Sequence, residues 1–163
     1  MSRRHAAVKR VIKADSKYNS VLLSKFINNI MREGKKALAE NIVYKSLAMV
    51  EKKYNTEPFG AFMDAMNNVK PDVEVTSVRV GGANYQVPSQ VDERRGYALA
   101  ARWIIGAASK RSGRGMIEKL AGEISDAANN RGVAIKKKND THSMAESNKA
   151  FAHFAQRSSG GNR

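Results

Sequence analysis

The sequence predicts a mainly α-helical fold of about six helices, which form a helical core with one projecting β-hairpin arm and an extended, basic N-terminal arm. Apolar residues recur at helical spacing over most of the chain. One stretch, residues 72–91, is instead rich in valine, and residues 1–19 show no periodicity. Because 163 residues with 42% hydrophobic content can build a core, we predict a single domain over residues 1–163.

Helical spacing predicts three helices in the first half of the chain. The first begins at Ser20, and Gly34 is placed to end it. The second covers about residues 35–55. The third begins near Pro58, because proline is tolerated in the first turn of a helix, and it stops before Pro71.

Residues 72–91 predict the hairpin. Two β-rich runs flank a glycine-containing link of four residues, 81–84. The alternation of apolar residues changes phase between Val75 and Val78, which predicts a β-bulge. A two-stranded ribbon is marginal by itself, so we expect other elements to support it.

Three further helices are predicted after the hairpin. The fourth covers residues 92–109, and the fifth ends at Gly132. A last helix is predicted to open near Ser143, whose spacing to Glu146 matches a capping box. A flexible tail is expected at residues 156–163, since it consists largely of serine and glycine.

Composition excludes several classes of protein. The chain has no cysteine, which rules out a disulfide framework and thiolate zinc sites. No apolar run reaches the roughly 20 residues that span a bilayer, and the start has no apolar core of a secretory signal. We therefore expect a soluble, cytoplasmic protein without membrane contact, although an Arg-rich organelle transit peptide stays an open alternative.

The sequence offers no catalytic or metal-binding constellation. His5, His142 and His153 lie far apart without metal-ligand spacing, and neither glycine-rich stretch carries the Gly-Lys-Ser/Thr of a phosphate loop. We expect no cofactor, no metal, no small-molecule substrate and no enzymatic activity. Acidic residues on the predicted helices are interpreted as members of surface ion pairs: Asp64, Asp92, Glu93, Glu118, Glu123 and Asp126.

The charge is concentrated at the two ends of the chain. The formal net charge is +14. Residues 1–36 hold 10 basic and 2 acidic side chains, and residues 131–163 hold 7 and 2, whereas the interior is nearly neutral. A phosphate backbone is the commonest partner of such a surface.

The basic clusters fall in the N-terminal arm, on helix faces and in predicted loops, which can follow an irregular phosphate path. Arg95 and Arg102 are seven residues apart and so share a helix face. Lys110, Arg111 and Arg114 are assigned to one loop, and the three lysines after Ile135 to another. The candidate RNA-binding residues are Arg3, Arg4, Lys9, Arg10, Lys13, Lys25, Asn28, Arg32, Lys35, Lys36, Arg79, Arg95, Arg102, Lys110, Arg111, Arg114, Lys136, Lys137 and Lys138.

Several stretches resemble one known family, the bacterial form of small-subunit ribosomal protein S-seven. Residues 18–37 look like its signature helix and turn, and Val80-Gly81-Gly82-Ala83-Asn84-Tyr85-Gln86-Val87-Pro88 is similar to its hairpin. Residues 93–104 and 136–153 match the family in the same order along the chain. The resemblance covers nearly the whole sequence.

The resemblance implies a helical core with a projecting hairpin and no enzymatic activity. It implies a primary binder of the 3′ major domain of 16S rRNA that nucleates assembly of the subunit head. It further implies a place at the subunit interface near the exit-site tRNA, beside head and platform proteins. The hairpin tip would reach tRNA or a neighbouring protein through Gly81, Gly82, Ala83, Asn84 and Tyr85.

The sequence leaves two alternative functions open. A histone-like DNA-bending protein also combines helices, basic charge and a β-ribbon arm, but residues 81–84 contain no apolar wedge. An RNA-modifying enzyme would share the basic face, but it needs the catalytic constellation that the sequence lacks. Preference for duplex DNA would favour the first, and turnover of an RNA would favour the second.

Overall fold

The computed structural model describes residue 8, residues 10–54 and residues 57–153. Arg3, Arg4 and Lys9, together with the predicted tail at 156–163, lie outside the described residues. The chain divides into two compact units, residues 1–41 and residues 42–163. The single RNA-binding domain over residues 1–163 stays a prediction.

The first unit contains helix α1 (Val21–Ile30) and the beginning of helix α2 (Lys36–Tyr54). Ser20 caps α1, because its side chain accepts a hydrogen bond from the backbone N–H of Leu23 at 3.3 Å. The predicted end at Gly34 is wrong, since α1 stops at Ile30. Glu33 and Gly34 both have positive φ, 54° and 72°, and so form a tight turn into α2.

The second unit begins within α2, where Val43, Leu47 and Val50 are buried at the spacing of one helix face. Helix α3 (Pro58–Val69) follows, with proline in its first turn as predicted. Ser46 joins α2 to a later part of the unit, since its hydroxyl donates to the Ile117 carbonyl oxygen at 3.0 Å.

Three more helices and a short 3-10 helix complete the unit. They are α4 (Glu93–Lys110), α5 (Met116–Ala128), α6 (Val133–Ser147) and the 3-10 helix Lys149–Phe151. Helices α3 to α6 pack against one another. Their contacts bury apolar side chains at about 1.5–3 kcal/mol each, among them Phe62, Met66, Ile104, Leu120 and Ile124.

The mainly α-helical fold is thereby confirmed, with six α-helices in the part of the chain that the structure describes. None of the helices within residues 10–54 and 57–153 is both long and apolar enough to cross a membrane.

The prediction for the last helix is wrong, because α6 begins at Val133 rather than near Ser143. The apparent capping box at Ser143 lies inside this helix. Two features of the unit start α6 earlier. Gly132 adopts φ +95° before the first turn, and the carboxylate of Glu123 on α5 accepts from the backbone N–H of Ala134 at 3.1 Å. Lys136, Lys137 and Lys138 are consequently helical rather than in a loop.

Strands β1 (Val73–Val80) and β2 (Ala83–Gln90) form the predicted hairpin. Every residue of β1 pairs with one residue of β2, from Val73 with Gln90 to Val80 with Ala83. The predicted bulge is therefore wrong, and so is the four-residue link. The turn consists of Gly81 and Gly82, whose φ values of 59° and 91° are both positive, as a type I′ turn requires.

Three contacts anchor the hairpin to the rest of the second unit, as an isolated ribbon requires. At its base Arg95 of α4 pairs with Glu74, and the backbone N–H of Asp72 donates to His142 Nε2 on α6 at 3.2 Å. Further along, the rings of Tyr85 and Phe151 are 5.3 Å apart between centroids. Glu74 and Val78 of β1, with Tyr85 and Val87 of β2, share the face turned towards the helices, where Val78 and Tyr85 are a direct pair.

Candidate nucleic-acid interface

In the first unit the described candidate cations are mostly exposed. Arg10 and Lys13 lie in a segment without helix or strand before α1. Lys25, half-buried, and the neutral amide Asn28, exposed, lie one turn apart on α1, and Arg32 is exposed just after the helix ends. The four cations Arg10, Lys13, Lys25 and Arg32 make no ion pair to any described residue.

Lys35 and Lys36 differ from that group, because each has a carboxylate partner nearby. Lys35 Nζ lies 2.7 Å from Glu33 Oε2, and Lys36 Nζ lies 3.8 Å from Glu40 Oε1, one helical turn further on. Exposed pairs of this kind contribute about 0–1 kcal/mol. An RNA phosphate can therefore replace either carboxylate at little cost.

The two arginines predicted to share a face of α4 differ in whether their side chains are bonded within the protein. Arg95 donates to both carboxylate oxygens of Glu74, at 2.6 and 2.8 Å, and the hydrogen bond and charge of Glu74 raise the pKa of Arg95. Arg102 is exposed, and its side chain has no protein partner within the described ranges. The structure thus commits Arg95 to the hairpin and leaves Arg102 available.

The segment from the end of α4 to the start of α5 shows a similar division, and Lys110, which was predicted to lie in a loop, is the last residue of α4. Lys110 and Arg114 are exposed. Arg111 instead turns inward, where its Nη1 atom donates to Glu123 Oε2 at 2.7 Å and to Asp126 Oδ2 at 2.6 Å. The hydrogen bond to Glu123, opposed by partial burial and supported by Asp126, raises the pKa of Arg111. Glu123 is 0% exposed, so the prediction that it belongs to a surface ion pair is wrong.

The three consecutive lysines of α6 also differ in their contacts. Lys136 and Lys137 are exposed and make no ion pair to any described residue. Lys138 Nζ donates to the Asn68 carbonyl oxygen at 2.8 Å, in the last turn of α3, where a cation satisfies free carbonyl groups and the helix dipole. Lys138 therefore has a structural role that its neighbours lack.

The hairpin tip is exposed along residues 81–84, whereas Tyr85 is half-buried against Phe151. Arg79 pairs with Asn84 across the strands, and Ser77 pairs with Gln86. These four exposed side chains lie on the face opposite Glu74 and Tyr85, which faces away from the helices. The half of this outer face nearest the glycine turn is thus polar and carries one cation, Arg79.

Some relevant residues were missed in the sequence. Arg94 and Arg131 are exposed cations. Arg94 directly precedes Arg95, but the prediction chose Arg95 and Arg102 for their shared helix face, and Arg131 has no basic residue beside it in the sequence. Asn68 was missed because its role is tertiary. Its side-chain amide donates to the Ala127 and Ala128 carbonyl oxygens at 3.1 and 2.9 Å, which satisfies the end of α5.

The described residues contain no group of histidine, cysteine or acidic side chains that could hold a metal ion. The described surface instead offers exposed cations on helices and loops, together with a projecting hairpin. Together they define a basic, helical protein built to contact a phosphate backbone.

Comparison with known proteins gives the family. The model of the family described as ribosomal protein S7p/S5e matches residues 2–149. The small ribosomal subunit protein uS7 of Rickettsia rickettsii (strain Sheila Smith) is 72% identical over 155 residues, which cover 95% of this chain and 97% of that protein. The uS7 protein of Rickettsia felis (strain ATCC VR-1525 / URRWXCal2) is 71% identical, with 95% and 98% covered. The chain belongs to this family and is a ribosomal protein.

Proposed function

We propose that this chain is a structural constituent of the small ribosomal subunit and a primary binder of 16S rRNA. Its binding site is the 3′ major domain, where it nucleates assembly of the subunit head. Membership of the family supports this function. The structural observation that carries it is the set of exposed cations whose side chains have no partner among the described residues: Arg102, Lys110, Arg114, Lys136 and Lys137.

The proposed mechanism is that of a scaffold. Free lysines and arginines neutralise RNA phosphates, and the release of condensed counterions supplies much of the affinity. The packed helices α3 to α6 hold these cations on rigid elements, so little conformational entropy is lost on binding. An RNA junction bound in this way loses conformational freedom, which favours the docking of later proteins.

The first unit carries its own candidate RNA-binding cations. Arg10, Lys13, Lys25 and Arg32 carry no ion pair among the described residues, and Lys35 and Lys36 have only exposed carboxylate partners. Arg3, Arg4 and Lys9 are included in the proposal on the basis of charge in the sequence alone.

The hairpin is proposed to contact the exit-site tRNA or a neighbouring head or platform protein. Its exposed glycine turn and polar outer face support this role, since Ser77, Asn84 and Gln86 offer hydrogen-bonding groups and Arg79 a charge. Its anchoring to α4 and α6 gives the arm a defined direction.

The protein is proposed to act in the cytoplasm within the ribosome, without a cofactor and without enzymatic activity. Arg95, Arg111 and Lys138 are kept among the candidate RNA-binding residues with a changed role, because their charged groups are bonded within the protein. They hold other elements in place for binding.

The function is tested by measuring affinity for a 3′ major domain fragment of 16S rRNA over a series of salt concentrations. Duplex DNA and an unrelated folded RNA serve as competitors. We expect a complex with the rRNA fragment that survives salt concentrations at which both competitors dissociate. Equal affinities that fall together with salt would reduce the protein to a non-specific polycation, and preference for duplex DNA would favour a DNA-bending protein.

A further inference from the structure

One fully buried carboxylate joins three helices of the second unit. Glu123 on α5 is 0% exposed, and a buried charge needs partners to offset its lost hydration. Its Oε2 atom lies 2.7 Å from Arg111 Nη1, at the end of α4. Its Oε1 atom accepts from the backbone N–H of Ala134, in the first turn of α6, at 3.1 Å. The three helices α4, α5 and α6 are thus tied at a single side chain.

Arg111 is held in a closely fitted position between these helices. Its Nη1 atom also donates to Asp126 Oδ2 at 2.6 Å. The guanidinium group lies over Gly122, where an added Cβ would be 3.2 Å from Nη2 and 3.3 Å from Cζ. Since α5 has no side chain at that position, the arginine can lie flat against the helix. A third of its side chain remains exposed.

The start of α6 is fitted just as closely to Glu123. Gly132 has φ +95°, and a Cβ there would be 3.0 Å from Glu123 Oε1 and 3.3 Å from Asp126 Cβ. Both the backbone conformation and the available space therefore require glycine. The position of the first turn of α6 follows from the position of Glu123.

Cations that make no ion pair to any described residue lie on either side of the junction formed by Arg111, Glu123 and Ala134. Lys110, the last residue of α4, immediately precedes Arg111, and Arg114 follows it three residues later in the loop. Lys136 and Lys137 lie two and three residues after Ala134 on α6. Through its ion pair with Arg111 and its hydrogen bond with Ala134, Glu123 thus joins two separate basic segments.

We propose that Arg111 and Glu123 are positioning residues for RNA binding, which fix Lys110 of α4 and the loop residue Arg114 relative to Lys136 and Lys137 of α6. The four cations then meet phosphates as one preorganised set. This inference rests on the proposed function and assigns Arg111 and Glu123 a role in it that involves no contact with RNA.

A direct role for Arg111 makes the opposite prediction. If its guanidinium bound a phosphate, Glu123 would compete with the RNA, and E123Q would release the arginine and tighten binding. Arg111→Met would also reduce the slope of log affinity against log salt by roughly 0.7 to 0.9 for the lost contact. As a positioning residue, Arg111 depends on Glu123, so E123Q weakens binding.

The affinity for the 3′ major domain fragment is measured for wild type, E123Q, R111M and the double variant E123Q/R111M. Lys137→Ala is measured both in the wild-type background and in combination with E123Q. Glu146→Gln is the matched control, since it removes the same charge at an exposed position of α6. Circular dichroism establishes the temperature range in which every variant is folded. Should E123Q unfold there, Asp126→Asn replaces it, because Asp126 is 38% exposed and also holds Arg111.

We expect E123Q to weaken binding of the rRNA fragment by at least about threefold, whereas E146Q should leave the affinity unchanged or slightly higher. The double variant E123Q/R111M should bind no more weakly than the single variant with the lower affinity. K137A should cost at least about threefold less affinity in the E123Q background than in wild type, which a merely stabilising residue would not cause. Tighter binding by E123Q, or an undiminished effect of K137A, would overturn the inference. Failure of wild type to prefer the rRNA fragment would instead overturn the proposed function, and the inference with it.

Discussion

The middle and the end of helix α4 use arginine in opposite ways. In the middle, Arg102 is exposed without a protein partner, and Gly106 one turn later leaves open space where a side chain would stand. At the end, Arg111 is paired with Glu123 and Asp126 and packed against Gly122. One surface is available to a ligand, and the other is already filled by the protein itself.

The difference shows that a basic residue cannot be assigned to RNA from its charge alone. Burying Glu123 removes the hydration of its carboxylate, and the cation Arg111 and a backbone N–H of α6 offset that loss. Arg102 forms no ion pair with any described carboxylate, so its charge is available to a binding partner. The count of 29 lysines and arginines therefore overstates the number of cations that are free to bind phosphate.

The largest effect on stability is expected at the junction formed by Arg111, Glu123 and Ala134. Glu123→Ala should lower the free energy of unfolding by about 3 kcal/mol, because it leaves Arg111 partly buried without its main partner and the Ala134 N–H unsatisfied. Urea denaturation measures this change. Glu146→Ala, at an exposed site on α6, should stay within about 0.5 kcal/mol of wild type. Similar values for both variants would mean that the junction contributes little.

A substitution in the middle of α4 should change the affinity for RNA rather than the stability of the protein. Arg102→Ala is expected to reduce the salt slope of binding to the rRNA fragment by roughly 0.7 to 0.9, the value for one phosphate contact. Its free energy of unfolding should change by less than about 0.5 kcal/mol. Filter binding at several salt concentrations provides the slope. An unaltered slope would remove this part of α4 from the interface.

Two glycine substitutions should have opposite effects on stability. Gly106→Ala should raise the free energy of unfolding by about 0.5–1 kcal/mol, because its Cβ meets nothing within 4 Å and alanine favours the helix. Gly122→Ala adds the same methyl group against the fixed guanidinium of Arg111 and should destabilise the protein.

Thermal unfolding of the two glycine variants tests this contrast. If α4 also approaches the RNA backbone closely, Gly106→Ala should bind the rRNA fragment more weakly despite its greater stability. A variant that is more stable and binds equally well would mean that this position is simply exposed.

The smallest effect is expected at the base of the hairpin. Glu74→Gln weakens the pair with Arg95, whose side chain is 55% exposed, so solvent already screens the pair and the loss of stability should be small. Faster amide hydrogen exchange in β1 would report the loosened hairpin. Glu93→Gln, at an exposed position on α4, is the control and should leave the exchange in β1 unchanged.

Local features of the sequence determined much of this protein. The spacing of apolar residues located most helices, because helical periodicity is a property of neighbouring residues. The valine-rich stretch around Gly81 and Gly82 located the hairpin for the same reason. The concentration of basic residues at both ends predicted a phosphate partner, and residues 18–37, 80–88, 93–104 and 136–153 resembled the family that the comparisons then established.

The tertiary structure decided what no short segment contains. The start of α6 at Val133 depends on a carboxylate from α5, so the local capping box at Ser143 was misleading. The continuous register of the hairpin removed the predicted bulge. Which cations are free was decided in the same way, since Glu74, Glu123 and the Asn68 carbonyl group approach Arg95, Arg111 and Lys138 only after the helices and the hairpin have packed. Pairing at hydrogen-bond distance depends on position in space, and residues far apart in sequence acquire that position only in the folded chain.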